Sequence, residues 1–198
     1  MAQNPNEMEL KDRVELIENM LAAGRRKTEK WGWTFVLWGV AYYVAIAWSA
    51  YGNPGVAWPV TMISAGILTG LVASRIKRHE AQTTISRAIS SIWIPMGISL
   101  FLLMVPLSLT HRLDAHSSVA IVSAIIGTAN ATSGLILKWK MQIACAVVWW
   151  TASVVGCFGT ETQTSIVFLV AIFFCQIVFG IYAMVCESQH RQRGAVHA

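Results

Sequence analysis

The stretch WGWTFVLWGVAYYVAIAWSAYGNPGVAWPVTMISAGILTGLVAS, Trp31 to Ser74, contains no Asp, Glu, Lys, Arg or His. As one helix at ~1.5 Å per residue it would measure about twice the ~30 Å hydrocarbon thickness of a bilayer. The run must therefore turn. YGNPG, Tyr51 to Gly55, supplies Gly, Asn and Pro where a turn needs them. Two membrane helices joined by a short turn are the simplest solution.

The same reading extends outward along the chain. Charge-free runs predict six spans, roughly 31–51, 57–74, 88–109, 118–137, 141–159 and 164–186. Each is close to the ~20 residues that cross a bilayer as a helix. The composition agrees, since 55% of the 198 residues are hydrophobic and only 13% are charged, against about 25% charged in ordinary soluble domains. Mean hydropathy is +0.53. The expected fold class is an all-α integral membrane protein. It divides into a cytoplasmic amphipathic helix (1–30), a six-helix transmembrane bundle (31–187) and a cytoplasmic tail (188–198). Residues 1–30 are charged and lack the short apolar core of a signal peptide, so the first span is expected to act as an uncleaved anchor.

Orientation follows from the cations. Lys11, Arg13, Arg25, Arg26, Lys27 and Lys30 precede the first span. Arg75, Lys77, Arg78 and Arg87 lie between the second and third, Lys138 and Lys140 between the fourth and fifth, and Arg191 and Arg193 after the sixth. Only Arg112 falls on the other side. The positive-inside rule then puts both termini in the cytoplasm and arranges the spans as three hairpins. A bacterial inner membrane suits so compact a chain with such short loops. The net charge of +5 is spent on these flanks and forms no aromatic-interleaved stripe, so no nucleic-acid partner is expected. The partner implied at once is the lipid bilayer.

Residues 6–30 imply a second. Asn4, Pro5 and Glu7 form a helix start, and Leu10, Val14, Ile17 and Leu21 follow at 4-3-4 spacing, a short coiled-coil-type seam. Charge along this helix is polarised. Glu7, Glu9, Asp12, Glu15 and Glu18 against Lys11 and Arg13 give residues 1–23 a net −3, while Arg25, Arg26, Lys27 and Lys30 against Glu29 give residues 24–30 a net +3. Anionic head groups attract the basic end and repel the acidic one. The helix is therefore expected to project from the membrane or to fold against a partner. An isolated helix of this length is marginal unless its apolar face is covered. Cover would come from its own bundle, a homo-oligomer or a cytosolic protein.

Chemistry is scarce. No ionisable residue lies in the central part of any span, which argues against proton relays, charged-substrate carriers and intramembrane metal hydrolases. The outer turn HRLDAH carries His111, Asp114 and His116, ligand types that serve as an outer sensor of acidity or of a ligand, but the spacing fits no metal motif and Arg112 opposes a cation. His79, His190 and His197 sit among basic residues, and none reads as catalytic. Cys145, Cys157, Cys175 and Cys186 form no CxxC pair and read as small apolar fillers. No cofactor or metal is expected. NAT, Asn130 to Thr132, matches a glycosylation acceptor but lies inside a span, out of a transferase's reach.

What stands out is GTANATSG, Gly127 to Gly134, in the fourth span. Ser123, Gly127 and Ala131 recur every four residues on one face, with Thr128 and Thr132 on the adjoining one. Gly66, Gly70 and Ser74 repeat the device in the second span. Small residues at this spacing let helices approach closely. Asn130 and Gln176 fall at similar depths, so an interhelical amide pair is expected between the fourth and sixth spans, both side chains facing inward. Gly70, Gly134 and Gly180 also sketch a faint hairpin repeat. Trp149 and Trp150 fall near mid-span, where packing or lipid contact is the better reading. Pro95 and Pro106 are expected to bend the third span.

The functional expectation is a non-enzymatic multi-pass protein acting through interaction, as an accessory, scaffold or sensory subunit, with the N-terminal helix as its cytoplasmic contact. The alternative is a channel or carrier for a small neutral solute, lined by polar residues of helices two, four and six, with Thr128, Asn130, Thr132 and Gln176 around a small cavity.

Overall fold

The computed structural model describes residues 5–77, 84–110 and 114–196. It is 94% helical and has no strand among the described residues. Six of its helices are long and apolar enough to cross a membrane. An all-helical solution is what hydrocarbon demands, because a helix satisfies its backbone N–H and C=O groups within its own segment.

The elements are α1 (Pro5–Lys30), α2 (Gly32–Tyr51), α3 (Pro54–Lys77), α4 (Thr84–Leu109), α5 (Ala115–Ile136), α6 (Lys140–Phe158), α7 (Glu161–Ile172) and α8 (Phe179–Val196). A π-helical turn, Phe173–Val178, joins α7 to α8, so the sixth span is one rod over Glu161–His190. The rod continues to Val196, through most of the stretch read as a tail.

Local chemistry sets the breaks. Pro54 opens α3 three residues earlier than the sequence suggested, because proline suits a first helical position and the Asn53 side chain accepts the Gly55 amide at 2.9 Å. Asp114 caps α5 by accepting from the Ser117 amide at 3.3 Å. Hydrogen bonding from Ser117, its side chain first and its amide after, holds the Asp114 carboxyl below the usual carboxylate range. Thr160 and Gln163 form a reciprocal capping box at the start of α7. Lys138 takes a left-handed conformation, φ 49°, which lets the Trp139 amide return to the Gly134 carbonyl at 2.8 Å and folds α6 back onto α5. Pro95 and Pro106 both lie within one continuous α4.

The spans are unequally enclosed. Over half of the α5 span is buried, against 11% for α3 and none for α4. α2, α5, α6 and the α7–α8 rod make the core, with α3 laid on α2 and α4 on α5. The most extensive contact joins α5 to α6, where a Cβ on Gly134 would stand 3.0 Å from the Ile143 nitrogen and one on Gly156 3.0 Å from the Ala120 nitrogen. Aromatic rings cross-link the layers: Phe35 meets Trp93 and Phe179 edge-on at 5.4 and 5.1 Å, and Phe168 meets Trp149 at 6.0 Å. Outside, Val40, Ile63, Leu71, Leu102, Val147 and Phe174 are exposed, a surface suited to lipid rather than to water.

Candidate functional site

Asn130 is 1% exposed and Gln176 5%, so both amides face the interior. The expected pair between them is not formed. Asn130 Nδ2 donates to the Ile126 carbonyl at 3.0 Å, a contact within its own helix that a short amide reaches easily. Its Oδ1 and the Gln176 Oε1 have no hydrogen-bond partner. Gln176 belongs to the π-helical turn and is turned toward α2, where a Cβ on Gly39 would lie 2.9 Å from the Gln176 Cβ.

The interhelical bond of the polar run comes from a residue that the sequence reading passed over. Ser133 Oγ accepts the Trp93 indole N–H at 3.0 Å, tying α4 to α5. Gln142 was also missed. It is fully buried, and neither of its amide atoms has a partner. Two residues after Lys140 it looked interfacial, and no sequence signal marked it as core. The Ser123 hydroxyl and the Trp149 indole nitrogen are likewise buried and unpartnered.

Thr128 and Thr132 do not face this core. Both are exposed, and their hydroxyls donate to Ala124 and Thr128 carbonyls of the same helix at 2.9 and 2.8 Å. Gly127 is covered, with the Trp150 ring 2.6 Å from where a Cβ would be. The α3 motif lies open. Nothing stands within 4 Å of a Cβ on Gly70, Gly66 meets only the Phe101 ring at 3.8 Å, and Ser74 is exposed with its hydroxyl on the Leu71 carbonyl. The three helices therefore do not bring their polar positions to a common lining.

An unpaired amide oxygen in a packed core costs about 1–3 kcal/mol. Asn130→Leu, which keeps the branched outline of the side chain without that oxygen, is expected to leave thermal stability unchanged or raised by up to about 1 kcal/mol. Unfolding followed by tryptophan fluorescence in mild detergent reads this. A clear loss of stability would mean that Asn130 has a polar partner.

At the turn between α4 and α5, His111 and Arg112 lie outside the described residues. His116 is drawn inward: its Nδ1 is 3.3 Å from both the Gly156 carbonyl and Thr164 Oγ1, and the Thr164 hydroxyl donates to the Val155 carbonyl. The imidazole thus fastens α5 to α6 and α7, while Asp114 serves as a cap. Cys145 and Cys175 are buried, with the Cys175 thiol 3.7 Å from the Cys145 carbonyl; both are free thiols. Among the described residues no three His, Cys, Asp or Glu side chains cluster as a metal ion requires.

The remaining candidate is α1. Every residue from Lys11 to Met20 is exposed, including Val14 at 48% and Ile17 at 56%. Leu21 is half-buried. One turn on, Gly24 is buried against Ile85 of α4 and Leu137. Thr28 is buried too, its hydroxyl on the Gly24 carbonyl at 3.1 Å. Gly24 and Thr28 follow Val14, Ile17 and Leu21 on one face. A single stripe is therefore covered by the protein's own bundle at its base and bare beyond it. The side chain of Leu10, and with it the far end of the stripe, lies outside the described residues, as do His79 and His197. No family model matches this chain, and neither a curated protein nor a solved structure is detectably similar to it.

Proposed function

We propose that this chain is a membrane-embedded interaction subunit, working by contact rather than catalysis, with α1 as the contact element. The observation that carries the reading is the bare half-stripe of Val14 and Ile17. A helix segment with every side chain exposed gains nothing from packing, and short helices in water depend on packing. A second helix laid along the stripe, from another copy or from a cytosolic protein, supplies what is missing. The cation asymmetry supports an orientation with both termini and α1 in the cytoplasm and three hairpins in the membrane, and a bacterial inner membrane is the setting we assign. Neutral-solute passage has less support, because Asn130 and Gln176 are buried while Thr128 and Thr132 are exposed and Gly70 faces open space.

The test is Val14→Asp with Ile17→Asp in the full chain, purified in mild detergent. Both side chains are exposed, so expression and thermal stability should match the unaltered protein. Assembly, read as mass by light scattering and as stoichiometric co-purification, should be lost. Unchanged assembly in the double variant would reject α1 as the contact, and solute flux into vesicles holding the pure protein would favour the alternative.

A further inference from the structure

The base of α1 holds a charge where a charge is expensive. Glu29 is 8% exposed and its Oε2 accepts no hydrogen bond. Its ion-pair partner is His190 of α8, with Nε2 at 3.8 Å. This is where α1 meets α8, beside the Gly24 contact with Ile85 and Leu137. Among the described residues, Arg25 and Arg26 of α1 and Tyr182, Glu187 and His190 of α8 are charged or titratable groups that act on the carboxylate. The arginines keep their charge at every accessible pH, and Glu187 adds repulsion. Imidazole is the side chain whose charge ordinarily changes between pH 5 and 8, and that of His190 is half exposed, so protons reach it from solvent.

We infer that Glu29 and His190 form a proton-responsive clasp that fixes the base of α1 to α8 and so sets the direction in which the bare stripe projects. With His190 protonated, the buried carboxylate has a cation within ion-pair distance and the junction is held. With His190 neutral, the largely buried carboxylate loses that cation, and α1 loosens. Burial pushes the Glu29 carboxyl above the usual carboxylate range, and this acts in the same direction. A carboxyl raised in the folded state is a penalty at high pH that is relieved as pH falls through its folded value. Acidification therefore tightens the junction. The inference does not depend on what α1 binds.

Hydrogen exchange on the full chain in lipid nanodiscs tests it, with rates corrected for intrinsic exchange. Protection of the amides of residues 22–30 should fall about threefold from pH 6 to pH 8, the scale of a part-exposed ion pair, while peptides of α5 and α6 stay constant. His190→Gln should show the lower protection at both pH values, and Glu29→Gln, which removes the buried charge, the higher protection at both. A flat profile in the unaltered protein, or a pH response in His190→Gln as large as that of the unaltered protein, overturns the clasp. The two variants move in opposite directions, so general destabilisation cannot mimic the result.

Discussion

Leucine in place of Gly180 should cost roughly 3 kcal/mol or more of stability, at the upper end of what overpacking does. A Cβ on Gly180 would stand 2.8 Å from the Gly32 carbonyl oxygen and 3.0 Å from the Val36 nitrogen; a Cβ on Gly32 would stand 2.7 Å from the Gly180 carbonyl oxygen. Those neighbours are backbone, so they yield only if α2 and α8 separate. Leucine at Gly70 is the control. Nothing stands within 4 Å there, and losing a helix-interior glycine gains up to about 1 kcal/mol. Gly70→Leu should therefore be neutral or slightly stabilising in the isolated protein. Thermal unfolding in detergent reads both. Equal damage at the two positions would mean that α3 is packed on that face, for instance by a second copy.

The second large effect is expected at Trp149. It is fully buried, edge-on to Phe168 and close to Gly127 of α5. Trp149→Ala should cost about 3–5 kcal/mol, since the bundle cannot close over the lost ring. Its neighbour Trp150 is 43% exposed, so Trp150→Ala should cost only about 1 kcal/mol. Trp149→Phe should recover most of the loss, because it keeps an aromatic body and removes an indole N–H that has no acceptor. Comparable losses for Trp149→Ala and Trp150→Ala in the same unfolding assay would contradict this packing.

These pairs mark where sequence reading stops. Consecutive helical residues point about 100° apart, so of Trp149 and Trp150 only one faces the core, and hydropathy is silent on which. In water the apolar face names the inside. In a bilayer lipid is as apolar as the core, and that signal vanishes. Spacing fixed that Gly66, Gly70 and Ser74 share a face, and equally Ser123, Gly127 and Ala131. It carried no information on whether a neighbour stands opposite. The first face is open, while Gly127 lies under Trp150 and Ser123 is wholly buried. Gly32 and Gly39, which form the close contacts of α2 with α8 and Gln176, belong to no recognisable motif.

The inward direction of Asn130 and Gln176 was legible, because an amide in hydrocarbon is costly anywhere else. Their lack of a mutual bond was not. It follows from the reach of a short side chain to its own helix and from the π-helical turn that aims Gln176 at Gly39.

What the amino-acid order determined by itself is the set of six membrane-length helices, their turns, and an N-terminal helix with an apolar stripe. Those follow from local rules: charges stay out of hydrocarbon, backbone groups close into helices, and Asn, Pro and Asp break or cap them. The tertiary structure alone decided which small residues are contacts, which tryptophan is core, and that the α1 stripe is covered at Gly24 and Thr28 but bare at Val14 and Ile17. Each of those depends on a neighbour contributed by a distant part of the chain, and the periodicity of one helix does not specify its neighbours.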